Sequence, residues 1–308
     1  TGRNGTCRRN SVIWQLHCCG HHERSGNSLQ HLSVSHSAIS LGLGLGGGKS
    51  ATSSGSPGGG ALTDELAYSG GIWETSNFTI SVAPEAHYDA NILDGADSAN
   101  NPSDASAVSA WNDRSGSATD YDAAQATGSL QPAFNASATG SKPAITGSSD
   151  KLVIATEIQL TDEYTEIVVA KANEPVWGRF FPISATTSYQ NTPWFKYSAS
   201  DLDYLAGTNK GDITTATTVN MFTVTRDGSN VNTLFEGGNN SRATQTKTGT
   251  LKLNKMFEGP LGLGTANAAG EITTSEILIF TSLLSAANLN IIIQYLESKY
   301  GFSGLTTF

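Results

Sequence analysis

The sequence predicts an all-β fold of two antiparallel sheets, and three observations support that prediction. Charged residues make up only 15% of the 308 positions, while Gly, Ser, Thr, Ala and Asn are abundant, a usage that favours strands and turns. The apolar residues mostly alternate with polar ones or form short solid runs, as half-buried and fully buried strands do. Only one stretch, near the end of the chain, has a convincing helical pattern.

The composition also excludes two classes of partner. No window reaches the run of about 18 apolar residues that would span a bilayer. The formal net charge of −9 offers no basic surface for a phosphate backbone. We therefore expect neither a membrane nor a nucleic acid as a partner, and the length allows one substantial core.

The first 60 residues differ chemically from the rest. All three cysteines and five of the six histidines lie within residues 1–36, and residues 1–50 carry five basic and one acidic residue against 13 and 26 afterwards. Residues 41–60 are rich in Gly and Ser, with too little apolar surface to offset their ordering entropy. The sequence predicts a leader and a flexible or anchoring arm over residues 1–60, and one domain over residues 61–308.

Two motif-like stretches in this segment carry little weight. Residues 42–47 fit Gly-x-Gly-x-x-Gly and residues 48–50 resemble the end of a phosphate-binding loop, but Leu43 stands where that loop needs glycine and no flanking strand and helix are indicated. Residues 17–22, with Cys7 upstream, could hold zinc. No paired Cys-x-x-Cys spacing appears, and adjacent ligands rarely converge on one ion. A linker and an unstructured or non-native leader are therefore the favoured interpretations.

The clearest strands of the body show alternating or solid apolar patterns. They cover residues 78–83, 151–154, 164–171, 221–225, 231–235, 250–253 and 275–280. Asp227-Gly228 lies between two β-branched runs and supplies the positive-φ residue of a tight turn, which predicts a hairpin. Residues 84–150 contain few strong strand formers and are predicted to be long surface loops.

The terminal helix is predicted over residues 286–299. Ser285 can act as its N-cap, and Gly301 supplies its end. One face of the helix collects Leu289, Ile292, Ile293 and Leu296. A single helix beside about a dozen strands should pack on the outside or at one end of a sandwich rather than form a layer.

Several passages resemble the concanavalin A-like (laminin-G-like) jelly-roll domains. They are the aromatic-Asp stretch at 88–90, the Trp-x-Asp-x-Ser-Gly turn at 111–116, Gln131-Pro132, residues 142–145, and the closing strand, turn and helix over 276–301. The resemblance covers roughly residues 85–302 and implies two antiparallel sheets of six or seven strands. It also implies a concave sheet that often carries a carbohydrate site, without implying catalysis.

Hydrolysis is the less favoured activity. Retaining glycanases on this scaffold resemble one another in a Glu-x-Asp-x-Glu strand, which aims two carboxylates into the cleft about 5 Å apart. The nearest acidic cluster here, at 162–166, has the wrong spacing. We expect Glu163 and Glu166 to be solvent-face or rim charges, and we expect no enzyme.

The glycine- and leucine-rich stretch at 41–48 gives an indication of where the protein is located. Openings of this kind ahead of a laminin-G-like domain resemble structural proteins of tailed phages. The resemblance implies an arm anchored on a capsid or tail, a virion or extracellular location, and other virion proteins as partners. A secreted bacterial adhesin and homo-oligomer formation both stay open.

Acidic residues crowd one loop region. They are Asp89, Asp94, Asp97 and Asp104. Calcium stays open as a ligand of such loops, but turn residues that bind their own backbone are the favoured interpretation, and no other cofactor is expected. Asp113 is expected to accept N–H groups in the turn to Gly116, while Trp111 packs below it.

A sugar site needs an aromatic face beside carboxylates or amides. The best-stocked stretch supplies Trp177, Tyr189, Asn191, Trp194, Asp201, Asp203 and Tyr204 as candidate carbohydrate-binding residues. Core packing is the alternative for any of these aromatics. The leading hypothesis is a non-enzymatic jelly-roll module for glycan or cell-envelope binding, and the rival is a decoration or scaffold protein that contacts only other proteins.

Overall fold

The structure is a computed structural model. It describes residues 67–69, 72–74, 79–80, 82–147, 150–172, 195–196, 202–203, 218–246, 248–257 and 271–308. The chain divides into two units, Thr1–Gly58 and Gly59–Phe308, and every described residue belongs to the second. The predictions for the leader, the arm and their metal ligands lie outside the described residues.

The described part of the body is mostly β-structure. Its strands are β1 (Ala67–Ser69), β2 (Ile72–Glu74), β3 (Thr79–Ile80), β4 (Ala86–Asp89), β5 (Ala110–Trp111), β6 (Ala123–Ala124), β7 (Ala133–Thr139), β8 (Lys142–Gly147), β9 (Leu152–Leu160), β10 (Tyr164–Ala172), β11 (Phe195–Lys196), β12 (Leu202–Asp203), β13 (Asn220–Arg226), β14 (Val231–Glu236), β15 (Asn240–Thr246), β16 (Leu251–Met256) and β17 (Ile272–Phe280). Helix α1 spans Ala286–Tyr300, and two short 3-10 turns span Ser98–Asn100 and Gly128–Leu130. Among the described residues no helix has the length and apolar character needed to cross a bilayer.

Two antiparallel sheets form the sandwich, which confirms the predicted fold class. The larger has eight strands in the order β15-β14-β13-β10-β17-β8-β7, and β4 also pairs with β17. The smaller has the order β16-β9-β6-β5. The resemblance implied six or seven strands in each sheet, whereas the described residues give eight and four. Strands β1 to β3 and strands β11 and β12 form two further small sheets.

One apolar cluster joins the facing sides of the two large sheets. Val168 and Ile277 belong to it from the eight-stranded sheet, and Ile158 belongs to it from the four-stranded sheet. Trp111 is fully buried in the same cluster and meets the ring of Tyr88 edge-on at 5.7 Å. This side of each sheet is called the inner face below.

Helix α1 covers the outer face of the eight-stranded sheet, as the sequence predicted. A second cluster joins Ile167 and Leu278 of that face to Ile292 and Leu296 of the helix. All nine residues of β17 are buried, because the strand packs on both faces. The hydroxyl of Ser285 accepts a hydrogen bond from the backbone N–H three residues on, which confirms the predicted cap.

The predicted end of the helix and the predicted hairpin are also present. Gly301 ends α1 with a φ of +69°. Strands β13 and β14 form the hairpin, but the residue with positive φ in its turn is Asn230, at +62°, and not Gly228. The carboxylate of Asp227 accepts the N–H groups of Ser229 and Val231, so the turn is a three-residue loop closed by a left-handed residue.

The prediction of long surface loops over residues 84–150 was wrong for the part of that stretch that forms strands. Strands β4 to β8 lie there, and β7 pairs with β8 as a hairpin. Many of these strand residues are Ala, Ser or Asn, which are not strong strand formers. Pairing with neighbouring strands decides their conformation, because strand preference depends strongly on context.

Candidate functional site

The densest group of ionisable side chains lies under α1, on the outer face of the eight-stranded sheet. The ammonium of Lys299, from the last turn of the helix, lies 2.6 Å from Asp89 Oδ2 and 2.9 Å from Glu276 Oε2. All three side chains have no solvent exposure. We call these residues, with His87 and Arg114, the buried charge cluster.

Glu276 is the centre of this cluster. Its Oε1 lies 2.8 Å from His87 Nε2 and accepts a hydrogen bond from the Tyr295 hydroxyl, and its Oε2 accepts one from the Tyr300 hydroxyl. Burial alone would raise the pKa of this carboxyl, but the charge of Lys299 and the bond to His87 hold the pKa well below its usual range. Glu276 is therefore ionised at neutral pH.

The other members balance that charge. Arg114 Nη1 lies 2.9 Å from Asp89 Oδ2, so two cations face two carboxylates. Burial would lower the pKa of Lys299, but Asp89 and Glu276 outweigh it and raise the pKa. Burial lowers the pKa of His87, against the opposing effect of Glu276, which leaves the imidazole neutral at pH 7.

The buried charge cluster does not suit a metal ion. Ligand atoms of His87, Asp89 and Glu276 lie within 4.8 Å of one another, which would suit a divalent cation by distance alone. However, the Lys299 ammonium already contacts both carboxylates. A metal ion would have to displace this internal cation, so the arrangement is a structural ion network.

The Trp-x-Asp-x-Ser-Gly turn closes the free edge of β4 beside this cluster. Asp113 Oδ1 accepts the backbone N–H groups of His87 and Ser115, at 2.8 and 2.9 Å. The backbone N–H of Arg114 donates to the carbonyl of His87. These bonds confirm the structural role predicted for Asp113. The residues that carry the family resemblance therefore hold the fold together.

A second buried carboxyl lies on the inner face. Glu166 was expected to be a solvent-face or rim charge, and this was wrong: it has no solvent exposure. Its register partners are Val224 and Ile279, both members of the inner apolar cluster. Among the residues that the structure describes, neither carboxyl oxygen has a hydrogen-bond partner, and burial raises the pKa of Glu166 to about 8. Glu163, by contrast, is exposed as predicted.

Three of the four loop aspartates, Asp89, Asp94 and Asp97, accept backbone N–H groups of their own loop, as predicted. Asp94 Oδ1 accepts two backbone N–H groups of its own loop, and these bonds lower its pKa against the effect of partial burial. Asp97 caps the 3-10 turn that follows it, and Asp104 accepts the N–H of Ala136. Asp89 Oδ1 accepts the N–H of Asn91, while its Oδ2 belongs to the buried charge cluster. Asp104 is the exception, because Ala136 is 32 positions further along the chain.

A pocket of about 240 Å³ lies beside this loop. Its polar lining includes Asp94, Asn100 and Asn112. The amide of Asn100 donates to the Asp94 carboxylate, and the amide of Asn112 donates to the Asp94 carbonyl. The polar groups of the pocket are thus bonded to one another.

The predicted sugar-binding residues fall almost entirely outside the described residues. Those outside are Trp177, Tyr189, Asn191, Trp194, Asp201 and Tyr204. Asp203 lies in β12, in register with Phe195 of β11. The described residues therefore do not test whether these side chains come together, and the site stays a prediction.

The described strands do show where the segment that contains these candidate residues leaves and rejoins the eight-stranded sheet. It leaves the eight-stranded sheet after Ala172, at the end of β10, and returns at Asn220, the first residue of β13. Strands β10 and β13 are neighbours, and Ala170 pairs with Asn220. Residues 173–219 therefore connect two adjacent antiparallel strands, and we call them the long connection.

A polar group that the sequence analysis missed lies at Asn220, where the long connection ends; it consists of Asn220, Glu236 and Arg242. Glu236 is 2% exposed, and its Oε1 accepts a hydrogen bond from the amide of Asn220 at 3.3 Å. Arg242 Nε lies 2.9 Å from Glu236 Oε2, with 34% of the arginine side chain exposed. An isolated arginine in the polar stretch Asn240–Thr246 was the signal available in the sequence.

Comparison with known proteins leaves the family open. No family model matches the chain, and no curated protein matches it. A sialidase of Trypanosoma rangeli in complex with sialic acid is 10% identical, covering 70% of this chain and 33% of its own, with a TM-score of 0.45. The chain thus spans about a third of the length of that enzyme.

Two binding domains are similar at the same level. The binding domain of Paraclostridial Mosquitocidal Protein 1 is 9% identical over 75% of this chain and 51% of its own, with a TM-score of 0.40. The carbohydrate recognition domain of Emp47p is 12% identical over 46% of this chain and 84% of its own, with a TM-score of 0.31. At these values function has to be argued from the residues.

Proposed function

We propose that this chain is a non-enzymatic jelly-roll module that binds a glycan or a cell-envelope polysaccharide. The observation that carries the proposal is the long connection. Adjacent antiparallel strands can be joined by two to five residues, whereas this connection is far longer and its described part includes the two-residue strands β11 and β12. Segments inserted between the strands of a rigid scaffold often carry binding residues. Here the excess length holds the aromatic and Asn/Asp residues expected of a sugar site.

The chemistry of sugar binding supports this choice of segment. Trp194 and Tyr204 offer apolar faces that can stack on the C–H surface of a sugar ring, and Asn191 and Asp201 offer groups that bind its hydroxyls. A rigid sheet that holds both ends of a loop is the usual way to present such residues. We place the site on the long connection, at the Ala172 and Asn220 end of β10 and β13.

The non-enzymatic part of the proposal is supported by the buried charge cluster. Asp89 and Glu276 are neighbouring carboxylates with oxygen atoms within 4.8 Å of each other, and a glycosidase also works with a pair of nearby carboxyls. Both are fully buried, and Lys299 lies between them. A substrate cannot reach this pair, so its role is to hold α1 on the sheet.

The location and further partners follow from the family resemblance alone. We propose a virion or extracellular protein whose arm, residues 1–60, contacts other virion proteins. Detection of the chain in purified particles or in the medium of its source, against the cell lysate, tests this part separately from glycan binding.

A binding screen tests the function. The full chain is applied to a panel of glycans and envelope preparations, with calcium and again with a chelator. We expect binding that Trp194→Ala and Tyr204→Ala each weaken about tenfold or more, the scale of one lost aromatic stacking contact. Leu283→Ala is the matched control, because Leu283 is an exposed apolar residue near α1.

The outcomes separate the hypotheses. Binding that the chelator abolishes would move the site to the aspartate-rich loop. Loss of binding in the Leu283→Ala variant would point to general damage. Absence of binding to every preparation would leave the rival, a scaffold whose partners are other proteins.

A further inference from the structure

We propose that Arg242 is an anion-binding residue beside the long connection and selects polysaccharides that carry carboxylate or sulfate groups. This inference rests on the proposed glycan-binding function and adds the chemical class of its ligand. It is carried by the contacts of Arg242, by the geometry of β15 and by the place of this strand in the sheet.

The described residues contain three arginines, and two of them serve the fold. Arg114 lies in the buried charge cluster. Arg226 is 2% exposed and donates from Nη1 to two backbone carbonyl oxygens. Arg242 differs, because its contact is one ion pair from Nε to Glu236 and a third of its side chain is exposed. Its two Nη groups remain available to a ligand.

Glu236 orients this guanidinium. The glutamate is buried, and the amide of Asn220 donates a hydrogen bond to its Oε1, while Oε2 forms the ion pair with Arg242 without a hydrogen bond in the described part of the chain. Because Nε is the arginine atom in this ion pair, the Nη1 and Nη2 groups are the part of the guanidinium left for a second acceptor. The fork that these two groups form matches the geometry of a carboxylate or sulfate, which a lysine ammonium does not.

A β-bulge places Arg242 in this position. Leu234 pairs with Ala243, and Phe235 pairs with Ser241, so Arg242 is the extra residue between them and has no strand partner. Bulges turn a side chain away from its regular direction and are frequent beside functional sites. β15 is also the edge strand of the eight-stranded sheet, so a long polysaccharide can approach it from the side.

The neighbouring groups suit a polyhydroxylated ligand. Asn240, Ser241, Thr244 and Thr246 are exposed on the same strand and offer amide and hydroxyl groups for sugar hydroxyls. Asn220, which holds Glu236, is also the residue at which the long connection returns to the sheet. An anionic sugar bound at Arg242 would therefore lie next to Asn220, the residue that follows the long connection.

Matched polysaccharides test the inference on the full chain. The probes are polygalacturonate against its methyl ester, and dextran sulfate against dextran, so that each pair differs in charge and not in backbone. We expect the chain to bind at least one anionic probe about tenfold or more tightly than its neutral partner. Arg242→Gln should lose about tenfold or more of that affinity, and Arg242→Lys should lose less, because it keeps the charge without the fork.

Lys252→Gln is the control variant. Lys252 is an exposed cation on the four-stranded sheet, paired with Glu157, so its loss changes the net charge equally without touching Arg242. Its affinity should remain unchanged. Equal losses in Lys252→Gln and Arg242→Gln would overturn the inference, because binding would then follow diffuse charge.

Other outcomes distinguish this inference from the proposed function. Binding to neutral probes that Trp194→Ala weakens and Arg242→Gln does not would overturn the role of Arg242 and leave the glycan function intact. Equal affinity for both members of each probe pair would do the same. Binding to no polysaccharide at all would overturn both. Thermal unfolding of each variant confirms that the protein tested is folded.

Discussion

Glu276 and Glu166 occupy neighbouring strands of one sheet and are both fully buried, yet their surroundings are opposite. On the outer face, Glu276 is held by a lysine, a histidine and two tyrosines. On the inner face, Glu166 has no hydrogen-bond partner in the described part of the chain. The pKa of Glu276 lies well below the usual range, and burial raises that of Glu166 to about 8.

The comparison teaches that burial does not set the state of a carboxyl group by itself. Desolvation raises the pKa of both groups, and only partners of opposite charge or hydrogen-bond donors reverse that effect. The outer face therefore holds an ionised network that ties α1 to the sheet. The inner face holds a neutral acid in an apolar core, which becomes costly when it ionises.

The largest expected loss of stability comes from disrupting the buried charge cluster on the outer face. Lys299→Met leaves Asp89 and Glu276 buried with one cation fewer, and removing one partner of a buried ion pair typically costs about 3 to 5 kcal/mol. We expect a loss of that size in the free energy of unfolding, measured by urea denaturation at pH 7.

The control for Lys299→Met is Lys252→Met. Lys252 pairs with Glu157 on the surface, and both side chains are partly exposed, so the change should cost less than about 1 kcal/mol. Similar losses in the two variants would contradict the structural role of the buried charge cluster.

The next effect concerns the inner side and depends on pH. Between pH 4.5 and about 8 the folded chain keeps the Glu166 proton while the unfolded chain has lost it, so stability falls as pH rises across this window. Glu166→Gln cannot ionise. We expect it to match the unsubstituted chain near pH 4.5 and to exceed it by up to about 5 kcal/mol at pH 9.

Urea denaturation at several pH values measures this difference. Glu163→Gln is the control, because Glu163 is exposed on the turn before the same strand. A constant difference between Glu166→Gln and the unsubstituted chain from pH 4.5 to 9 would show that Glu166 is not a buried neutral acid.

A smaller effect concerns His87 on the outer face and the loss of stability at acidic pH. Burial lowers the pKa of His87 against the effect of Glu276. Below about pH 6.5, therefore, this imidazole becomes protonated in the unfolded chain before it does so in the folded chain. Stability from this group is therefore lost as pH falls, by up to about 1.4 kcal/mol per pH unit. His87→Gln should show a shallower loss between pH 7 and pH 5, whatever its stability at pH 7. An unchanged slope would place the acid sensitivity elsewhere.

The sequence predicted the architecture better than the roles of its residues. Alternation along β10 and β13, the cap at Ser285 and the apolar helix face were sufficient for a sandwich with an outer helix, because these signals are local. Four of the five residues of the buried charge cluster, all but His87, lie in the stretches that carry the family resemblance. Their contacts were not visible, since Asp89 and Lys299 are 210 positions apart and one sequence contains no pairing information.

Glu166 shows the other limit of sequence reasoning. An acidic residue that enters an apolar strand is usually on the solvent side, and a period of two cannot say which face that is when both faces are covered. Arg242 was missed for a related reason: its bulge depends on the register of β14 with β15, which no local pattern specifies.

The smallest expected effect tests whether the helix or the ion network holds the outer face. Ser285→Ala removes the hydroxyl that accepts a backbone N–H at the start of α1, while the buried charge cluster lies at the other end of the helix. An N-cap of this kind contributes about 1 kcal/mol. We expect a loss of that size with the His87 acid slope unchanged, measured by urea denaturation from pH 7 to pH 5. If the cap loss instead altered that slope, the two ends of the helix would be coupled. The outer face would then act as one cooperative unit, whereas the free-energy cost of burying Glu166 on the inner face would remain independent of it.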